Sequence, residues 1–162
     1  TKGAEMPPQL PKGKENKMEF KKSFGGREKY FPTKLKKDKA GDCVVRAIAH
    51  ATGTDYMAVW EDLLELSIET GHMPNEEKTF GKYLKSIGWA KQKPMRNYRN
   101  KLLKVKQIKS EQDLIVSTSG HLTYISGEYY STDNNYNMRL LDTCDCRNST
   151  AYSYWKRDDD LF

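Results

Sequence analysis

The chain has 162 residues and a formal net charge of +6, and hydrophobic residues make up 36% of it. This length supports one domain with a hydrophobic core, and because no apolar run approaches about 18 residues, we expect no membrane-spanning helix and no membrane partner. The three cysteines, an odd number, argue against a disulfide framework and favour a reducing, cytoplasmic compartment.

The positive charge is concentrated near the start of the chain. Residues 1–42 hold 12 of the 28 basic residues and 6 of the 22 acidic ones, so the remainder holds 16 of each and is formally neutral. The overall charge therefore does not by itself indicate a nucleic-acid-binding domain.

Residues 1–17 are rich in Lys, Pro and Gly, which is typical of a disordered or artificially added leader. Residues 18–40 form a basic arm with scattered aromatic residues, which we predict to be ordered or a short strand on the domain. The alternative is that this arm binds single-stranded nucleic acid, since stacking and phosphate neutralisation need these residue types. We favour the interpretation as an ordered arm or short strand over nucleic-acid binding, because runs of charged residues are usually solvated segments. Residues 41–158 are the predicted domain.

Three helices are predicted after the arm. Apolar residues at helical spacing begin at Val44 and end before Gly53, a residue that is typical just past a helix C-terminus. A second helix is predicted over about 55–69, with Thr54 or Asp55 as its cap. A third helix is predicted from Asn75 as its cap to Gly88.

After residue 88 the pattern changes to the alternation of strands. Strands are predicted near residues 103–108, 114–116, 121–125, 138–142 and 151–155, with 121–125 and 128–131 forming a hairpin about Gly127. Helices followed by strands predict an α+β domain whose N-terminal helices pack on a C-terminal antiparallel sheet.

Cys43 is the candidate nucleophile. It lies in the first turn of the first predicted helix, where unpaired N–H groups and the helix dipole lower the pKa of a thiol. A thiolate in catalysis needs an imidazole and an acceptor that orients it. Arg46, one turn later, is expected to hold the helix to a carboxylate. The competing interpretation is that Cys43 is a small buried core residue.

His121 is the predicted base because it follows Gly120 and begins a strand. His50 lies two turns along the helix that carries Cys43, too far to reach the thiol, and His72 lies in a loop. Asp142 ends a later strand, so antiparallel pairing would place it beside His121. Asp133 and Asp145 are alternatives for this orienting role.

These features have a family resemblance. A cysteine at a helix start, a Gly-His pair heading a strand and an aspartate ending a following strand resemble the papain-like cysteine peptidase fold. Asp42-Cys43 and the later Gly-His…Asp spacing are similar to the peptidase domain of bacteriocin-processing ABC exporters. The segment 41–48 resembles the nucleophile segment of ovarian-tumour-type deubiquitinases. Segments 41–53 and 119–145 are similar to small papain-like proteins of tailed phages.

The resemblance implies a cysteine peptidase or isopeptidase with Cys43, His121 and Asp142 as its triad, a peptide or protein substrate and no cofactor. It also implies a phage protein that acts on a host protein in the host cytoplasm. Two positions depart from the families: Lys37 stands where papain and exporter patterns place an oxyanion-hole glutamine, and Ala40 where the deubiquitinase pattern places an aspartate. The Cys43 backbone N–H is the one oxyanion donor we assign. A catalytically silent papain-like binding module is therefore the alternative function.

Cys144 and Cys146 raise the alternative of a metal site together with His121 or His72. We do not favour this interpretation, because zinc sites usually pair cysteines two residues apart and need a fourth ligand. We therefore predict no metal site.

Overall fold

The computed structural model describes residues 18–33, 40–128 and 137–158. Within these ranges the helices are α1 (Cys43–Thr52), α2 (Tyr56–Thr70) and α3 (Glu77–Ser86). The strands are β1 (Glu19–Lys22), β2 (Trp89–Gln92), β3 (Leu114–Thr118), β4 (His121–Glu128), β5 (Asn137–Asp142) and β6 (Ser153–Arg157). The six strands form one sheet in the order β1-β5-β4-β3-β6-β2, so the α+β class is confirmed.

The sheet is mixed, whereas the sequence predicted an antiparallel one. Strand β1, at the start of the basic arm, lies parallel to β5, with Phe20 opposite Leu140. The other neighbouring strands are antiparallel. The prediction was wrong for β1 because this strand comes from before the helices and joins an edge of the sheet without a hairpin. A short strand was nevertheless expected in this arm.

Alternating residues of the strands place two apolar clusters on opposite faces of the sheet. The first cluster lies under the helices and includes Ile115 and Trp155. The second contains Leu114 and Val116, with covering residues from outside the sheet, namely Met18, Val105 and Ile108. The segment that precedes β3 therefore covers the face opposite the helices.

The first two helices begin and end close to the predicted residues. Helix α1 ends at Gly53, which has a left-handed φ of 67°. Asp55 caps α2 by accepting the Ala58 N–H. Helix α3 instead has Glu76 at its cap position rather than Asn75, because the Glu76 carbonyl accepts the N–H of Phe80. The helix also ends at Ser86, before the predicted end at Gly88.

Two segments between α3 and β3 differ from the prediction. Trp89–Gln92 forms β2, which the sequence did not predict, and pairs with β6 at the sheet edge. The predicted strand at 103–108 is instead a short 3₁₀ helix over Val105–Gln107, with one isolated bridge between Lys104 and Thr150. Val105 and Ile108 are buried there as single anchors rather than as an alternating strand face.

Gly127 is not at a hairpin turn, contrary to the prediction. It lies within β4, opposite Met138 of β5. A Cβ atom at this position would lie 2.2 Å from the Gln112 carbonyl oxygen. Glycine is required here because a neighbouring backbone crosses the strand closely. The predicted strand at 128–131 lies, apart from Glu128, outside the described residues.

Candidate active site

Cys43 is the first residue of α1, as predicted, and its side chain is partly buried. Asp42 precedes the helix, but its carboxylate does not cap the first turn of the described helix. It accepts hydrogen bonds from the Tyr56 hydroxyl (2.6 Å), from Arg27 (3.2 Å) and from Arg46. The N–H groups of the first turn therefore have no acceptor from the Asp42 side chain.

His121 begins β4 directly after the turn that joins β3 to β4. The turn uses Gly120 in a left-handed conformation, and it pairs Thr118 with His121. The Nε2 atom of His121 lies 2.5 Å from Oδ2 of Asp142, the last residue of β5. The antiparallel pairing of β4 and β5 produces this contact, as the sequence predicted.

Asp142 is buried, with 3% of its surface exposed, and its carboxylate is extensively hydrogen-bonded. Oδ2 accepts from the Thr123 hydroxyl at 2.7 Å, and Oδ1 accepts from the Thr143 N–H at 2.6 Å and from Arg46 at 3.4 Å. Burial by itself would raise the pKa of Asp142, but the hydrogen bond and charge of His121 outweigh it, so the pKa is lowered. Asp142 is therefore a fixed anion beside the ring.

Cys43 and His121 line the same cleft, and each side chain shifts the pKa of the other. The hydrogen bond to Asp142, followed by those to Cys146 and Cys43, raises the pKa of His121 to about 12. Burial opposes the ionisation of Cys43, yet hydrogen bonds from His121 and from the backbone of Leu122 lower its pKa. Both shifts are in the direction that favours a thiolate–imidazolium pair.

A cleft of about 660 Å³ opens over this pair. Its walls come from three loops, at residues 40–43, 118–121 and 143–146, and from the arm at Lys22 and Phe24. Cys43 and His121 both line it, so the reactive groups face a space that a substrate chain can fill.

The other histidines lie outside the cleft. The Nε2 atom of His50 lies 3.0 Å from the Ser23 hydroxyl, and its ring stacks on Tyr124. Burial lowers the pKa of His50, which favours a neutral ring. His72 lies between α2 and α3, with Nδ1 3.6 Å from Glu76. The sequence prediction that neither reaches Cys43 is consistent with these positions.

Of the two alternative orienting acids, the structure describes Asp145, which pairs with another residue. Asp145 forms a close ion pair with Arg147, at 2.7 Å. Asp133 lies outside the described residues, and so does Lys37, which stands at the glutamine position of the papain pattern. Asp142 is thus the acid that the structure brings to His121.

Some of the residues considered for a metal site lie close together. Candidate ligand atoms of His121, Asp142 and Cys144 lie within 4.8 Å of one another, and the Cys144 sulfur is 4.0 Å from Nε2. Cys146 is buried, with its sulfur 3.9 Å from Asp142 Oδ2. The 2.5 Å contact between His121 and Asp142 is closer than the ~3.3 Å that two ligands of a tetrahedral zinc require. These residues fit a hydrogen-bonded pair better than a formed metal site.

Three hydrogen bonds at the site were not anticipated from the sequence, namely those of Thr123 to Asp142 and of Arg27 and Tyr56 to Asp42. Thr123 lies two residues after His121, so strand alternation places both on one face, and this signal was available. The hydrogen bonds of Arg27 and Tyr56 to Asp42 had no sequence signal. They depend on the path of the arm, which packs Gly25 so tightly against α1 that a Cβ would lie 3.0 Å from the Arg46 Cα.

The fold and the site define an α+β protein in which Cys43 and His121 line a cleft and the buried Asp142 is hydrogen-bonded to His121. No protein-family model, curated protein or solved structure matches the chain. In the described part of the chain, no helix has the length and apolar character needed to cross a membrane.

Proposed function

We propose that this protein is a papain-like cysteine hydrolase that cleaves an amide or isopeptide bond. The observation that carries the proposal is that Cys43 and His121 line the same cleft, while His121 is hydrogen-bonded to the buried Asp142. A nucleophile, a base and an orienting anion in this order are the requirements of thiol acyl transfer.

In the proposed reaction the Cys43 thiolate attacks the substrate carbonyl carbon and forms a tetrahedral intermediate. The His121 imidazolium then donates its proton to the leaving amine, and the C–N bond breaks to give a thioester on Cys43. Neutral His121 next takes a proton from water, which attacks the thioester and releases the acid. Asp142 keeps the ring in position and stabilises its charged form throughout.

The oxyanion of the intermediate would lie near the first turn of α1. The Cys43 backbone N–H is the donor we assign, aided by the positive end of the helix dipole. A site that lacks a second donor would be slower by a factor of about 10²–10³. A low turnover is therefore compatible with this geometry.

The proposed substrate is an extended peptide or protein segment, because the cleft is open along loops from both halves of the domain. The resemblance to phage papain-like proteins extends the proposal to a phage enzyme that acts on a host protein in the host cytoplasm. This extension depends on analogy of fold and motif alone.

The test is hydrolysis of pooled fluorogenic peptide amides and lysine isopeptides by the wild-type chain, by Cys43→Ala and by Cys144→Ala. We expect the first substitution to lower the rate by about 10⁴-fold or more. Cys144→Ala is the matched control, because it removes an exposed thiol beside the same ring. Equal activity of the two variants would reject Cys43 as the nucleophile. A folded wild-type chain without activity would favour the catalytically silent binding module.

A further inference from the structure

A strip of basic residues runs from β2 through the segment that precedes β3. Residues 89–110 contain eight lysines and arginines and no acidic residue. All eight side chains belong to exposed residues: Lys91, Lys93, Arg96, Arg99, Lys101, Lys104, Lys106 and Lys109. Lys91 pairs with Glu77 at 2.9 Å, and no other member of this basic strip is ion-paired with a described residue. The strip therefore carries uncompensated positive charge.

Apart from the Lys91–Glu77 pair, no described residue of the basic strip forms an ion pair with the acidic part of the domain. Residues 55–77, which include α2, contain seven acidic residues and no lysine or arginine. Helix α2 packs against α1 and α3 on the helix side of the sheet, whereas Val105 and Ile108 anchor the later part of the basic strip on the opposite side. The formal neutrality of residues 43–162 thus hides a strongly polarised surface, and its positive side attracts polyanions.

An exposed aromatic ring lies within the basic strip. Tyr98 is 90% exposed, and the Arg99 guanidinium lies 5.4 Å from the centre of its ring. The turn that carries it is ordered, since Asn97 accepts the N–H groups of Arg99 and Lys101 on its side-chain oxygen. A pair of bridged residues, Arg96 and Leu102, closes the loop. Tyr98 therefore projects from a fixed turn without packing in the core.

We propose that the basic strip binds single-stranded nucleic acid. Its lysines and arginines would contact successive phosphates, and one base would stack on Tyr98 next to Arg99. This site is separate from the hydrolase cleft, and it differs from the basic arm at residues 18–40. An anionic membrane surface fits less well, because Tyr98 is the one large hydrophobic residue that the strip exposes in the described structure.

The test is fluorescence anisotropy of a labelled 20-nucleotide poly(U) with the full chain at several salt concentrations. The strip variant is Lys101→Glu/Lys104→Glu/Lys106→Glu. The matched control is Lys78→Glu/Lys82→Glu/Lys85→Glu on α3, which changes the net charge equally at exposed positions. We expect the strip variant to bind at least 10-fold more weakly and the control to change by less than threefold. The slope of log K against log salt should fall by about 2 units in the strip variant only.

Tyr98→Ala provides a second readout that charge alone would not change. We expect it to weaken poly(U) binding by about fivefold or more, with an unchanged salt slope. The proposal is overturned if the wild type does not bind poly(U), or if the strip and control variants lose affinity equally. It is also overturned if Tyr98→Ala binds normally, or if phosphatidylserine vesicles bind the strip as tightly as poly(U). Thermal unfolding of each variant confirms that it is folded.

Discussion

Arg46 and Asp142 are joined across 3.4 Å, from Nη2 to Oδ1, and both residues are buried. The same guanidinium also contacts Asp42, immediately before the nucleophile. Arg46 therefore connects the first turn of α1 to the end of β5. Arg46 thus fixes the position of the helix that carries Cys43 relative to the strand that carries the orienting acid.

Replacement of Arg46 by Met should destabilise the fold strongly. It removes a cation from two buried carboxylates, and loss of one partner of a buried pair costs about 3–5 kcal/mol. The measurement is the free energy of unfolding in urea. Arg139→Met is the control, because its pair with Glu19 is exposed and such pairs contribute about 0–1 kcal/mol. Similar losses in both variants would show that the Arg46 contacts contribute no special stability.

Replacement of Asp142 by Asn should lower the pKa of His121. The hydrogen bond that the His121 ring donates to Asp142 is the largest cause of the value of about 12, so loss of the carboxylate charge destabilises the protonated ring. The pKa is measured by NMR titration of the His121 ring protons. Asp145→Asn is the control, since Asp145 pairs with Arg147 instead. An unchanged His121 pKa in Asp142→Asn would contradict the proposed pairing.

The His121–Asp142 pair should make stability depend on pH. The folded pKa of His121 is raised from 6.5 to about 12, so its contribution is complete below pH 6.5 and is lost as the pH rises toward 12. The pKa of Asp142 is lowered from 3.8, so its contribution is present above pH 3.8 and is lost as the pH falls through its folded pKa.

The measurement compares the free energy of unfolding of the Cys43→Ala variant with that of the Cys43→Ala/His121→Gln variant. Both variants lack Cys43, so the titration of that thiol does not contribute to the difference. The difference between them should shrink above pH 6.5 by up to about 1.4 kcal/mol per pH unit. A difference that stays constant from pH 6 to pH 9 would mean that His121 is not protonated more readily in the folded chain.

Replacement of Gly127 by Ala should destabilise the sheet because of a steric contact rather than a turn. The added Cβ would lie 2.2 Å from the Gln112 carbonyl oxygen, and such overpacking costs about 3 kcal/mol. Gly53→Ala is the control: it has open space and only the cost of its left-handed φ, about 1 kcal/mol. Equal unfolding free energies for the two variants would contradict the close crossing at β4.

The sequence predicted α1, α2 and the three catalytic candidates because these depend on local patterns and chain order. The 3.6-residue spacing after Cys43 defined α1, and an antiparallel pair was enough to bring Asp142 to His121. The strand predicted at 103–108 failed for a physical reason. Two buried apolar anchors can alternate with lysines in a 3₁₀ turn as well as in a strand.

Features made by contacts between distant residues could not be read from the pattern. The parallel pairing of β1 with β5, and the approach of Arg27 to Asp42, both depend on how the arm passes the sheet. The basic strip was present in the sequence but was hidden by a charge sum that included α2. The uneven distribution of charge becomes apparent from the fold, which places the core residues of α2 on the helix side of the sheet and Val105 and Ile108 on the other side.

The most direct test of the thiolate–imidazolium pair is the rate at which iodoacetamide alkylates each cysteine at pH 6, followed by peptide mass spectrometry. Cys43 has a lowered pKa, whereas burial and the charge of Asp142 raise that of Cys144. We predict that Cys43 reacts far faster than Cys144 in the wild type, and that His121→Gln abolishes the difference. Equal rates in the folded wild type, or a fast Cys43 in the His121→Gln variant, would contradict the account.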